Sequence, residues 1–196
     1  MHDRKVKSVF VVGLDSSVDQ MFKAEGWDLV KDPNFADFIC FTGGSDVSPE
    51  LYGETNNGLS FVNKARDARE MNIYNQFKGH VGFLGICRGG QFLNVMNGGK
   101  LRQHIDPDIH HGIRDCRTVT RARTRFTERI QTQQDHHQAI LPTNKARTFL
   151  VDDTDGVVEG CWYEATKSFC FQPHPEWGHE PTRKVFFAWI HNFFSF

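Results

Sequence analysis

The residues best suited to chemistry lie in Phe83-Leu84-Gly85-Ile86-Cys87-Arg88-Gly89-Gly90-Gln91, where glycines flank a cysteine at i−2 and i+2. This is the spacing of a nucleophile elbow, G-x-S-x-G with sulfur in place of oxygen. Such a turn is strained, so its neighbours must lack a Cβ where chain segments crowd. The apolar run Val81 to Ile86 predicts a strand covered on both faces, and Arg88 to about Met96 predicts the helix that follows. That helix would aim its N-terminal N–H groups at a sulfur carried on an exposed turn. This favours the thiolate of a thiol whose ordinary pKa is about 8.5. A buried structural cysteine in a glycine-rich turn is the competing reading, and what lies downstream argues against it.

A cysteine nucleophile needs a base, and the base needs an orienting group. Phe169-Cys170-Phe171-Gln172-Pro173-His174-Pro175-Glu176 offers both, since a strand-like run ends in a histidine with a carboxylate two residues on. Pro173 and Pro175 argue against helix here and predict an extended turn from which His174 and Glu176 project together. In this reading His174 takes the proton of Cys87 and Glu176 holds the imidazole.

The elements that must position these groups alternate between strand and helix. Strands are predicted at Val6–Val12, Trp27–Val30 and Asp37–Thr42, and helices at Val18–Glu25, capped by Asp15 or Ser16, and Lys64–Phe77. Gly98-Gly99 closes the helix after the elbow. From Lys100 to Phe171 the pieces become short and strand-like, with Val157–Tyr163 and Ser168–Gln172 as a hairpin-type pair. Pro181 to Phe194 is an amphipathic helix whose Val185, Phe186, Trp189, Ile190 and Phe193 face the core. The pattern predicts a three-layer α/β/α fold with a mostly parallel, doubly wound central sheet and a small antiparallel part, as one domain over residues 1–196. The strand ending at Gly43-Gly44 should lie beside the elbow strand, because ligands of open α/β sheets bind at the strands' carboxyl ends.

With 23 basic and 24 acidic residues the net charge is −1, which supplies no strong field for nucleic acid or membrane. One local exception is the run containing Arg114, Arg117, Arg121, Arg123, Arg125 and Arg129, read as a solvated strand edge or a docking surface. Five cysteines without a CxxC pair make no secreted disulfide pattern, and Cys40, Cys161 and Cys170 read as core. The pairs His110-His111 and His136-His137 lack metal-ligand spacing, so no metal is expected. No apolar run is long enough to span a membrane and no secretory segment is seen, so a cytoplasmic location is expected.

Together these segments resemble a class I glutamine amidotransferase domain with a Cys-His-Glu triad, and most of all its γ-glutamyl hydrolase branch (peptidase C26), which includes γ-glutamyl-γ-aminobutyrate hydrolases. Gly43-Gly44-Ser45-Asp46-Val47-Ser48-Pro49-Glu50-Leu51-Tyr52-Gly53-Glu54 is similar to that branch's glycine-rich loop, Arg66-Asp67 to Glu70 to its R-D-x-x-E, Gly85 to Gln103 to its elbow and G-G-x-L-x-Q, and His136-His137-Gln138-Ala139-Ile140 to its H-H-Q-A-I. The resemblance implies a flavodoxin-like fold. It implies Cys87, His174 and Glu176 as the triad, and the backbone N–H groups of Gly44 and Arg88 as an oxyanion hole. It also implies Gly43, Gln91, His136, His137 and Gln138 at the substrate, with Asp46 and Tyr52 shaping the leaving-amine side. Pro173 stands where the branch usually has an aromatic residue, and Asp135 falls where a Ser-x-H-H-Q pattern is commoner.

The implied chemistry is cleavage of a γ-glutamyl C–N bond through a thioester on Cys87, with no cofactor. Glutamine as substrate, with ammonia passing to a synthetase partner, is the leading expectation. A stand-alone hydrolase of γ-glutamyl amines is the alternative, and an inactive scaffold on the same fold is the third.

Overall fold

A computed structural model of the chain describes residues 6–13, 15–119 and 126–194. The strands are β1 (Ser8–Val12), β2 (Asp28–Leu29), β3 (Phe38–Phe41), β4 (Gly82–Ile86), β5 (Lys100–Arg102), β6 (His111–Val119), β7 (Phe126–Asp135), β8 (Ala139–Leu141), β9 (Arg147–Asp152), β10 (Val158–Tyr163) and β11 (Ser168–Phe171). The helices are α1 (Ser16–Ala24), α2 (Lys64–Phe77), α3 (Arg88–Met96) and α4 (Glu180–Phe194). Asp15 is the cap of α1, its carboxylate accepting from the Ser17 and Val18 N–H groups, and this starts the helix two residues before the predicted Val18.

The strands form one sheet in the order β2-β1-β3-β4-β11-β10-β9-β6-β7, with β5 and β8 pairing beside β10. From β2 to β11 every neighbour is parallel, and from β11 onward every pair is antiparallel. The parallel half is the doubly wound sheet that the strand–helix alternation predicts. The antiparallel part extends along the long β6–β7 ribbon. Two apolar layers sandwich the sheet. One packs Phe22, Trp27, Phe169, Phe171, Phe186 and Ile190 between the sheet and the α1/α4 face; the other packs Phe41, Tyr74, Phe83, Phe92 and Leu93 under α2 and α3. The inward residues of α4 are thus core, Phe186 meeting Phe169 edge-on at 5.5 Å. Cys40, Cys161 and Cys170 are fully buried and free.

Among the described residues, no helix is long and apolar enough to cross a membrane. Of the arginine run, Arg121, Arg123 and Arg125 lie outside the described residues. Arg114 hydrogen-bonds Thr154, and Arg117 and Arg129 both pair with Asp153.

Three adjacent parallel strands set up the site. In register, Phe41 lies beside Gly85 and Phe171 beside Ile86, so β3, β4 and β11 end together. Their carboxyl ends deliver Gly43-Gly44, Cys87 and the segment Gln172–Glu176 to one place. The His174 N–H donates to the Gln133 carbonyl at 2.8 Å, which ties this segment to the end of β7.

Candidate active site

Cys87 has φ 49° and ψ −112°, a left-handed conformation that a non-glycine residue adopts only when its surroundings enforce it. The surroundings do so. A Cβ on Gly85 would overlap the Gly89 carbonyl, one on Gly89 would overlap the Phe41 carbonyl, and one on Gly90 would lie 2.8 Å from the Phe171 nitrogen. The elbow is therefore wedged between β3 and β11, and the Cys87 N–H donates to the Phe171 carbonyl at 2.7 Å. The sulfur is not on an exposed turn as the sequence suggested. Cys87 is 8% exposed, because Gly43 and the end of β7 cover it, and Sγ lies 3.8 Å from the Asp135 carbonyl.

His174 and Glu176 meet as expected, Nδ1 to Oε1 at 2.7 Å, with both side chains buried. The backbone differs from the extended turn read from the prolines, since Pro175–Trp177 is one turn of 3-10 helix. Proline at the first position of a helical turn loses no hydrogen bond, so Pro175 starts the turn rather than forbidding it. Burial disfavours the His174 imidazolium, but the Cys87 sulfur as thiolate and the Glu176 carboxylate outweigh it and raise the pKa to about 11. Gly43 completes the corner, where a Cβ would sit 3.5 Å from His174 Cε1 and 3.8 Å from Cys87 Cβ.

Sequence reasoning passed over Trp177, whose ring stacks on His174 at 4.0 Å and 13°. It is one face of the imidazole's pocket and favours the cationic ring. Its only sequence signal was its place directly after Glu176.

The R-D-x-x-E residues form a second layer behind the glycine loop. Arg88 is 1% exposed. Its guanidinium pairs with Asp67 and Glu70, and its Nε donates to the Ser45 carbonyl at 3.0 Å. Burial lowers its pKa to about 10, so it stays charged. Asp67 also accepts from the Ser48 N–H and hydroxyl. Arg66 donates through Nε to Glu70 at 2.7 Å, through Nη1 to the Gly43 carbonyl at 2.8 Å and through Nη2 to the Thr42 carbonyl at 2.9 Å.

The remaining expected contacts divide. Gln91, one turn beyond Cys87, is buried with Nε2 3.4 Å from the Gln138 carbonyl, and its Oε1 has no hydrogen-bond partner among the described residues. His137 is half-buried and pairs with Asp46 at 3.1 Å, at the edge of the glycine loop. The His136 and Gln138 side chains are buried in internal hydrogen bonds. His136 turns into the protein, Nδ1 to the Gln138 carbonyl at 2.9 Å and Nε2 to Glu159 at 3.2 Å. The Gln138 amide donates to Ser60 at 2.9 Å. Both side chains are thus engaged internally, where the resemblance implied contact with substrate.

One histidine from each sequence pair, His110 and His136, converges with Glu159, their ligand atoms all within 4.8 Å of one another. Each ring nitrogen has a hydrogen-bond partner, and for His136 Nε2 that partner is Glu159 itself. His110 Nδ1 faces Gln134 Oε1 at 3.1 Å and Nε2 faces Asp155 at 3.0 Å. Burial opposes the charge on His110, but Glu159 and Asp155 raise its pKa to about 9. The three side chains form a buried hydrogen-bonded cluster against β10.

A mixed α/β/α sheet with a positive-φ cysteine elbow and a His–Glu pair at the neighbouring strand end is the arrangement of the class I glutamine amidotransferase-like superfamily. The chain belongs to the peptidase C26 family, whose model matches residues 31–176. It is 36% identical over 154 residues to a protein of Mycobacterium tuberculosis named as a glutamine amidotransferase, covering 70% of this chain and 50% of that one. It is 32% identical over 157 residues to a glutamine amidotransferase-like protein of Lactococcus lactis, covering 71% of this chain and 66% of the relative. The matched part thus spans about half to two thirds of those relatives. Among solved structures, one described as a GMP synthase component from Thermoplasma acidophilum superposes with a TM-score of 0.71 at 18% identity, over 98% of this chain and 96% of that one, a likeness of fold.

Proposed function

We propose that the chain is a glutaminase of the amidotransferase type, hydrolysing the γ-amide of glutamine to glutamate and ammonia. The observation that carries this reading is geometric: the buried Cys87 sulfur on its positive-φ elbow shares one corner, beside Gly43, with an imidazole of His174 that Glu176 fixes. The thiolate attacks the γ-carbonyl carbon, and the oxyanion forms against the N–H groups of Gly44 and Arg88. His174 delivers its proton to the departing nitrogen as the C–N bond breaks, leaving a γ-glutamyl thioester. Neutral His174 then takes a proton from water as the water oxygen attacks that carbonyl. The C–S bond breaks, and glutamate leaves with the thiolate–imidazolium pair restored. A synthetase partner would take up the ammonia, in keeping with the amidotransferase names of the curated relatives.

A second reading, a stand-alone hydrolase of γ-glutamyl amines, is favoured by the loop Gly43–Glu54. Its Asp46 carboxylate holds His137 and the Phe61 N–H at the rim, a charged edge suited to an amine leaving group. The test is glutamate release from a panel of glutamine and γ-glutamyl amines, each with and without candidate partners. Preference for glutamine supports the first reading, preference for a γ-glutamyl amine the second, and no release from any member overturns both.

A further inference from the structure

Resting on the hydrolase reading above, we propose that Arg66 is the positioning residue of the oxyanion hole, because its guanidinium grips the Gly43 carbonyl and so sets the direction of the Gly44 N–H. The two groups belong to one peptide unit. Cis peptide bonds are absent among the described residues, and in a trans unit C=O and N–H point in opposite directions. Fixing Gly43 O against Nη1 at 2.8 Å therefore sends the Gly44 N–H out of the other side.

Without that grip the unit has little to hold it. Both flanking residues are glycine, and a Gly-Gly peptide rotates with small steric cost. A rotated unit would present a carbonyl where an oxyanion must be stabilised. Gly44 is itself shaped for the grip, since it has φ +124° and a Cβ there would meet Arg66 Nη1 at 2.5 Å. A second hydrogen bond, Nη2 to the Thr42 carbonyl at 2.9 Å, fixes the preceding unit.

The guanidinium is in turn held by Glu70 through Nε at 2.7 Å. The other Glu70 oxygen pairs with Arg88, whose own backbone N–H is the second donor and whose Nε holds the Ser45 carbonyl. One carboxylate thus joins the arginine that sets the first donor to the residue that supplies the second. Arg66 touches no reacting atom; it acts through the peptide, and its charge is also felt at Cys87.

The experiment compares Arg66→Met and the milder Arg66→Lys with wild type. For the γ-glutamyl substrate that the wild type turns over, kcat should fall about 10²–10³-fold in Arg66→Met and less in Arg66→Lys, with KM within about threefold. Alkylation of Cys87 by iodoacetamide develops no oxyanion on an acyl carbon, so in Arg66→Lys, which keeps the charge near Cys87, its rate should stay within about twofold. A kcat within threefold of wild type in both variants, or an alkylation rate of Arg66→Lys that falls in step with kcat, overturns the assignment. If the wild type turns over no γ-glutamyl substrate, the functional reading fails separately. The crystal structure of Arg66→Lys or Arg66→Met then decides: a rotated or split Gly43–Gly44 peptide upholds the role, and an unchanged one overturns it.

Discussion

Replacing Glu176 by Gln keeps the shape of the group beside His174 and removes its charge, so the consequence can be worked from the 2.7 Å contact. A hydrogen bond to a charged group contributes about 1 kcal/mol more than a neutral one. The Coulomb attraction of unit charges about 4 Å apart is about 4 kcal/mol at an effective dielectric constant near 20. These bracket the loss, and at about 1.4 kcal/mol per pKa unit they correspond to roughly one to three units. The sign follows from which form is favoured. Glu176 stabilises the imidazolium, so without it the His174 pKa drops from about 11 to roughly 8–10. The weaker cation also holds the Cys87 thiolate less well, which moves the onset of rapid alkylation to higher pH. The assay is the ¹³C shift of His174 Cε1 against pH, run with iodoacetamide alkylation of Cys87 on the same samples. An imidazole titration and an alkylation profile both identical to wild type would remove Glu176 from the triad.

The remaining predictions test packing, charge and the ring stack. Gly85→Ala drives a Cβ into the Gly89 carbonyl and should cost at least about 3 kcal/mol, read as a loss of roughly 6–12 °C in Tm; an unchanged Tm would contradict the wedged elbow. His110 has a folded pKa of about 9 against about 6.5 unfolded, so its contribution to stability is fully present below pH 6.5 and lost as pH rises to about 9. That contribution is on the order of 3 kcal/mol, seen as a falling urea midpoint that His110→Gln flattens, and an equal slope in the variant would refute it. Trp177→Ala removes the ring stacked on His174 and should lower kcat/KM about tenfold, with Trp177→Phe retaining most activity; equal losses in the two variants would deny the stack its role.

The elbow and the His–Glu pair were legible because their signals are local: glycines two residues either side of Cys87, and a carboxylate two residues beyond His174 at a strand end. The parallel half of the sheet was legible for the same reason, each strand and helix carrying its own period. What the sequence hid depends on contacts between distant segments. His136 and Gln138 read as substrate residues until Glu159 and Ser60, brought by β10 and the Gly43–Val62 loop, engaged them. The convergence of His110 with His136 needed the register of the antiparallel part, which no spacing in the chain encodes. Cys87 read as exposed because the residues that cover it, Gly43 and Asp135, come from other strand ends. The 3-10 turn at Pro175–Trp177 was missed because proline was weighed as a helix breaker rather than as a helix start.

A covalent γ-glutamyl intermediate at one sulfur is tested most directly by intact-mass and peptide mapping of enzyme quenched during turnover of its γ-glutamyl substrate. The prediction is a mass increase of one glutamyl residue on the peptide carrying Cys87, absent from Cys87→Ala, which folds as the wild type does and releases no glutamate. An adduct on Cys40, Cys116, Cys161 or Cys170, or glutamate release that persists in Cys87→Ala, would contradict it.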